Sequence, residues 1–492
     1  MTDNPERRKM RLFPIDFQRH FYILLTGGLI GYLVLQSVAI TVLPVTFAEG
    51  HNLQTAILID DGYAPYKDIF TLENPLFIWL IGSVKQIFIS PFGLKWFFLL
   101  FGVLLLFNIS IIARYWLGEK IALSSLFLLA TATTFLTNTP AVLSVIPALS
   151  IATLSLVCTI SFLKTGKLLW QLLAGILYGI ALWFSTAALS IIVVSVLFII
   201  FSNKIDSKKR VETLSLQTVL KALGIGAIGL FIALGCGLIL ATPDIVFDHL
   251  FVSHLIINKN LSLELKDNIV VIGFSLTYNS GLSIFAVAAV SDFYRVKNHP
   301  QWLMIFWFLI NMGWLLLQKT LQLEMVDILL PPMAILAGSG LIFLFDKMKN
   351  NLSKLTLLLQ MGAGIILTVV YFLAIWMRIN TVVLRDIDNQ SYFEQLMNRE
   401  AAAQFIQQYT DSKACVIVDD PALAVAAKRL PPPALVGLTE QRISGKLISE
   451  SEIISAVERN DCQAVVFSFR KYTRPISGLQ DWAETHYPNQ EK

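Results

Sequence analysis

Between Glu49 and Asn74 the chain gathers Glu49, His51, Asp60, Asp61, Lys67, Asp68, Glu73 and Asn74 in the stretch EGHNLQTAILIDDGYAPYKDIFTLEN. Carboxylates of this kind can take a proton from an incoming hydroxyl or amine, provided something holds them within hydrogen-bonding reach of it. Two local features would do the holding. The placement of Leu53, Ala56 and Ile57 predicts a short helix over 50–59 lying on a membrane surface. Glu73-Asn74-Pro75-Leu76 then runs directly into an apolar segment at 76–89. Together they would park the acids at the lipid–water boundary. A solvated polar loop is the plain alternative.

The rest of the chain explains why that boundary matters. Apolar residues make up 55% of the 492 and charged residues 15%, well under the roughly 25% that a soluble domain needs to cover itself. Most of the chain must therefore sit in lipid, which excludes a cytosolic enzyme, a disordered protein and a nucleic-acid binder. Apolar stretches lie near 21–45, 76–89, 92–113, 121–137, 140–163, 168–182, 184–201, 222–241, 269–291, 301–317, 325–345 and 355–376. The run at 76–89 contains Lys85 and is shorter than the roughly 17–25 residues of a crossing helix, so it reads as interfacial or re-entrant.

With that run left out, about eleven spans remain, and the basic loops fall on one side. Arg7, Arg8, Lys9, Arg11 and Arg19 precede the first span, and Lys204 to Lys221 form another basic stretch on the same side. Lysine and arginine favour the cytoplasmic face. The expectation is a multi-pass plasma (inner) membrane protein with a cytoplasmic tail (1–20), a membrane domain (21–376) and an extracytoplasmic C-terminal domain (377–492). Outer segments at 46–75, 242–268 and 318–325 are long enough for chemistry.

The tail changes composition. Helical patterns at 400–409 and 448–458 alternate with β-runs at 414–418 and 464–469, which predicts a small parallel α/β unit. Cys415 and Cys462 begin the two β-runs. The four cysteines fit neither a metal spacing nor a disulfide framework; adjacent parallel strands could place Cys415 and Cys462 close, but free buried thiols are the expectation. Asp419-Asp420 ends the first β-run, where ligands of α/β units gather and where acids equally cap a following helix.

At the first outer loop the sequence resembles the GT-C class of polytopic glycosyltransferases, in particular the protein O-mannosyltransferases and aminoarabinose transferases of the family 39 type. Those proteins open with a basic tail, one span, and an outer loop bearing an Asp-Glu pair, a Gly-x-x-Tyr-x-Asp-like stretch and a His/Lys-Pro-Pro-Leu sequence. Glu49, Gly62 to Asp68 and Asn74-Pro75-Leu76 look like these elements in order. Lys319 before Leu329-Leu330-Pro331-Pro332 is similar to the basic residue that precedes a Leu-Pro-rich span, and Asp419-Asp420-Pro421 through Arg429-Leu430-Pro431-Pro432 resembles the appended outer domains. The departures are specific: Ala48 stands where the catalytic Asp would fall, and Glu73-Asn74 replaces the His/Lys and first proline.

The resemblance implies a GT-C-like fold and a sugar donor linked through phosphate to a polyprenyl lipid, with an unidentified acceptor. One carboxylate suffices in principle, because phosphate leaves without a proton, and direct displacement inverts the sugar's anomeric centre. Glu49 is the first candidate base, ahead of Asp60 and Asp68. His51, Asp61, Tyr66, Lys67, Glu73 and Asn74 are candidate substrate-binding groups. Positive charge for the departing phosphate falls to Lys319 first, then Lys67, Lys259 and His254. A lysine that merely snorkels at the interface is the alternative for Lys319.

No resident cofactor is expected. His249 and His254 lack the i,i+4 spacing of paired ligands on a helix, and no ligand cluster indicates a divalent cation, although acidic loops recruit them. Three rival readings stay open. A secondary transporter would place ionisable groups near the bilayer midplane, whereas the span interiors here are nearly free of charge. A non-catalytic scaffold would tolerate loss of the loop acids. A ligase using a pyrophosphate-linked donor shares the same broad chemistry.

Overall fold

The computed structural model describes residues 17–43, 45–88, 91–205, 215–240, 248, 252–293, 300–319, 321–351, 390–467 and 477–487. The basic tail up to residue 16, the last expected span at 355–376 and His249 lie outside the described residues.

The apolar runs become a helical bundle. Helices α1 (Phe17–Val42), α2 (Phe47–Asp60), α3 (Pro75–Ile87), α4 (Pro91–Leu117), α5 (Glu119–Ala130), α6 (Thr133–Asn138) and α7 (Val145–Thr165) follow in order. They continue as α8 (Leu169–Phe184), α9 (Leu189–Ile205), α10 (Leu216–Leu240), α11 (Ser253–Asn260), α12 (Leu265–Tyr278), α13 (Ser280–Phe293), α14 (Gln301–Leu316) and α15 (Leu330–Asn351). A 3-10 turn, Leu323–Leu329, leads into α15. Among the described residues five helices are long and apolar enough to cross a membrane: His20–Ile40, Phe92–Leu117, Val145–Thr165, Leu216–Ile239 and Leu323–Lys347.

Two expected spans are not single straight rods. The run 269–291 is α12 and α13, bent by 94° at their junction, and counting the pair as one span brings the total to six. The run 121–137 breaks between α5 and α6 at Thr131–Ala132. The segment at 76–89 is the short apolar helix α3, as its length predicts. It starts where Pro75 occupies the first helical position, the one place where a missing N–H costs nothing.

Helix α7 is at the centre, with Leu149, Leu156 and Phe162 fully buried against α4 and α8. Helices α8 and α10 pack closely because glycines face each other. A Cβ on Gly175 would collide with the Gly226 carbonyl, and one on Gly229 with the Leu172 carbonyl. Gly224 and Gly235, on the same helix α10, meet nothing within 4 Å.

The C-terminal region contains α16 (Gln390–Tyr409), β1 (Val416–Val418), α17 (Pro421–Ala427), α18 (Glu440–Ser444), α19 (Glu450–Arg459), β2 (Ala464–Val466) and α20 (Ser477–His486). β1 and β2 pair in parallel, Val416 opposite Ala464 and Val418 opposite Val466. Helix α19 begins with a full capping box between Ser449 and Glu452. The expectation of free thiols is corrected here: Cys415 and Cys462 form a disulfide, because parallel pairing brings their Cα atoms to 4.4 Å.

The expected surface helix is also placed differently. α2 runs from Phe47 to Asp60 and is roofed by α17, with Gly50 so close that a Cβ would meet the Ala422 nitrogen at 2.5 Å. Its buried face includes Glu49, Asn52, Gln54 and Thr55, so it lies between the bundle and the C-terminal region. Polar side chains are tolerated there because they find partners: Asn52 donates to the Val142 carbonyl at 2.8 Å and Gln54 to the Pro421 carbonyl at 3.2 Å.

Candidate functional site

The first outer loop does not bring its three candidate bases together. Glu49 is in the first turn of α2, whose N-cap hydroxyl, Thr46, accepts from the Glu49 N–H. Asp60 is at the far end, about 16 Å along the axis at 1.5 Å per residue. Asp60 is exposed and ion-paired with Lys85 of α3 at 3.2 Å. Asp68 folds back on its own loop, accepting from the Ala64 N–H at 2.8 Å. Glu49 is 1% exposed, 3.4 Å from the Lys95 ammonium, and accepts from the Val142 N–H. Burial raises its pKa, and the Lys95 charge opposes that rise.

The last residues of the loop turn inward instead. Tyr66 takes a positive φ of 66°, which folds the loop tightly and lets its hydroxyl donate to the Glu73 carbonyl at 2.6 Å. The Asn74 amide donates to the Leu182 carbonyl at 2.6 Å, fixing the start of α3 against α8. Glu73 is left facing Ser144, just before α7, and Glu324, in the 3-10 turn ahead of α15. Desolvation pushes the Glu73 carboxyl up to about 7; its hydrogen bond to Ser144 works against this, and the Glu324 carboxylate adds to it.

Asp327 extends the same cluster. It is 1% exposed and accepts from the Asn138 amide at 2.8 Å, while Thr134 and Asn279 hydrogen-bond each other alongside. Three carboxyls lie here with amide and hydroxyl neighbours, and among the described residues no cation is ion-paired with any of them. A carboxyl whose pKa lies near neutrality is suited to general-base work. No group of three or more His, Cys, Asp or Glu with the geometry to hold a metal ion occurs among the described residues.

The expected cationic groups separate into two sets. Lys319 does not point to open space: its ammonium donates to the Asn258 carbonyl and, at 2.9 Å, to the Leu261 carbonyl, at the carbonyl end of α11. That is a capping contact, favourable at a helix C-terminus. Lys67 and Lys259 are exposed, as is Asp61. His254, on α11, hydrogen-bonds the backbone of Leu72, next to Glu73.

His51 turns away from this cluster toward the C-terminal region. Its ring packs on Gly437, whose φ of +71° and lack of a Cβ permit the approach. Burial, reinforced by the charge of Arg442, lowers the His51 pKa to about 4, so the ring is neutral. Arg442 itself is buried, lies 3.7 Å over the Phe70 ring and donates to the Val436 and Ala434 carbonyls. Asp420 caps α17 through the Ala422 N–H and pairs with Arg399 at 2.8 Å, which settles its role as a cap.

Reading along the sequence missed Glu324, Asp327, Asn138, Ser144, Lys95 and Arg442. The signal for the first two was present. Glu324 and Asp327 stand at the head of an apolar run, and an acid inside a span is rare without a purpose. The assignment of 325–345 as a span treats its interior as free of charge, whereas the buried Asp327 lies within Leu323–Lys347.

No family model and no curated protein matches the sequence. Solved structures do match by fold. The chain is similar to ArnT from Cupriavidus metallidurans bound to undecaprenyl phosphate, with a TM-score of 0.55, 12% identity, and coverage of 92% of this chain and 90% of that one. It is similar to the archaeal oligosaccharyltransferase AglB from Archaeoglobus fulgidus, in complex with an inhibitory peptide and a dolichol-phosphate. That match has a TM-score of 0.54 and 13% identity, covering 96% of this chain and 72% of that one. Both are GT-C glycosyltransferases, and the chain shares their fold.

Proposed function

We propose that the protein is a membrane glycosyltransferase that moves one sugar from a polyprenyl-phosphate-linked donor to an acceptor on the non-cytoplasmic face. The observation that carries this reading is the fold shared over nearly the whole chain with transferases whose structures hold a polyprenyl or dolichol phosphate. The carboxylate cluster at Glu73 supports it independently, since it supplies the proton acceptor that the chemistry needs.

In this reading Glu73 takes the proton from the acceptor's hydroxyl or amine as that atom bonds to the sugar's C1. The C1–O bond to phosphate breaks at the same time, and the lipid phosphate departs with the electron pair. The attack comes from the face opposite the leaving group, so the product is inverted. Burial, with the Glu324 carboxylate adding to it, keeps Glu73 basic enough to act near neutrality. Lys67 and Lys259, exposed and without an ion pair among the described residues, are the cations available to the phosphate. The disulfide is in keeping with an oxidising, extracytoplasmic setting for the C-terminal region. In this reading the protein sits in the plasma membrane with its N-terminus cytoplasmic, a placement supported by the basic loops.

Purified protein incubated with a panel of radiolabelled polyprenyl-phosphate and polyprenyl-pyrophosphate sugars tests this. Consumption of one donor, lost in Glu73→Gln, is the expected result. Consumption of pyrophosphate-linked donors alone would replace the donor class, and a wild-type protein inert to every donor would end the transferase reading.

A further inference from the structure

Glu49 ranks first among the candidate bases by sequence, yet its surroundings assign it another task. Its Oε1 lies 3.4 Å from the Lys95 ammonium and 3.4 Å from the Val142 nitrogen. Three residues along α2, Asn52 donates to the Val142 carbonyl at 2.8 Å. Both polar groups of one peptide residue are thus held from a single helix. Val142 is fully buried and belongs to the segment 139–144 that joins α6 to α7. That segment ends at Ser144, the hydrogen-bond partner of Glu73. At its other end Asn138 donates to Asp327.

We infer that Glu49 is a positioning residue: paired with Lys95 and assisted by Asn52, it fixes segment 139–144 so that Ser144 meets Glu73. Without an acceptor on α2 the buried Val142 N–H would be an orphan, which buried backbone tolerates poorly. Lys95 also donates to the Leu43 carbonyl at the end of α1, so the pair ties α1, α2, α4 and the 139–144 segment to one point. A catalytic role would require Glu49 to release both contacts and reach an acceptor. It is 1% exposed, and α17 roofs the helix that carries it.

This inference rests on Glu73 being the proton acceptor, and its test separates the two ideas. The variant Glu49→Leu/Lys95→Met keeps the volume and leaves no unpaired buried charge, so it preserves the fold. In the full-length protein in detergent, amide hydrogen exchange across 139–144 is expected to quicken about tenfold, as loss of one hydrogen bond implies. Glu49→Gln/Lys95→Met retains an acceptor oxygen and should restore protection.

The second readout is the pH profile of donor consumption. Glu73 is faced by Ser144, by the Tyr66 hydroxyl on its own carbonyl, by Glu324 with Asp327 beyond it, and by His254 at Leu72. Of these only Ser144 depends on the 139–144 segment. The acid limb should therefore move to higher pH in Glu49→Leu/Lys95→Met and equally in Ser144→Ala, with no further movement when the changes are combined. Unchanged exchange across 139–144 overturns the inference whether or not the protein consumes any donor. Turnover abolished at every pH in the Gln variant, with exchange unaltered, would make Glu49 the base instead. A wild-type protein that consumes no donor defeats the transferase reading alone, and exchange still decides the positioning role.

Discussion

In the proposed reaction, the reactivity of Glu73 comes from where it is buried. A solvated glutamate is ionised well below neutrality and is a weak base, whereas desolvation raises this one to about 7, with Glu324 adding to the rise. Replacing it with glutamine is expected to lower turnover by about 100-fold or more, the usual worth of a positioned base, with the folded state intact by circular dichroism. Turnover should rise with pH through about 7, since the deprotonated form is the active one. Glu324→Gln removes a like charge and is expected to move that acid limb to lower pH, which a pH–rate profile measures directly. An unmoved limb would mean that another group titrates.

Among the elements, α2 and α17 act as a unit. Their contact depends on Gly50, on the Gln54 bond to Pro421, and on Asp420, which caps α17 and anchors Arg399. Arg399 in turn donates to the Val45 carbonyl at 3.0 Å, where the chain leaves α1. Asp420→Ala removes the cap and the pair together, and is expected to cost about 2 kcal/mol, read as a lower melting temperature. Gly50→Leu would force α2 and α17 apart, since no flexible side chain stands in the way to yield, only the backbone of Pro421 and Ala422. A cost of about 1–3 kcal/mol is expected from such overpacking.

For the molecule as a whole, the join between the first outer loop and the C-terminal region is sensitive to acid. In the unfolded chain His51 would bind a proton at its ordinary pKa of 6.5, but in the folded protein it resists until about 4. Between those values the unfolded state holds more protons, so stability falls as pH drops through the window and is flat above it. Melting temperatures from pH 7 to pH 4 test this, and His51→Phe should flatten the dependence. The disulfide closes a separation of 47 residues. By the chain-entropy estimate its reduction should cost about 4 kcal/mol, confined to the C-terminal region and visible as earlier unfolding under reductant.

Some of this was decided by the order of residues alone. An apolar chain with too little charge to coat itself must become lipid-embedded helices, and the short run containing Lys85 must make a helix too short to cross. Pro75 after Asn74, and the capping signal at Ser449 and Glu452, set helix starts because these effects act within one turn. The alternation of β-runs and helices after residue 400 specified a parallel pair for the same local reason.

What the tertiary structure alone decided is which acids meet. Glu49, Asp60 and Asp68 are neighbours along the chain, yet one helix separates the first two and the third closes its own turn. Glu73 finds Glu324 and Asp327 only because α7 and the turn before α15 pack beside the start of α3. Desolvation, which shifts Glu73 upward and leaves His51 neutral, depends on everything folded around a group, and periodicity within ten residues carries no record of it. The same holds for Cys415 and Cys462, whose bond follows from strand pairing, and for Lys319, whose partners come from α11.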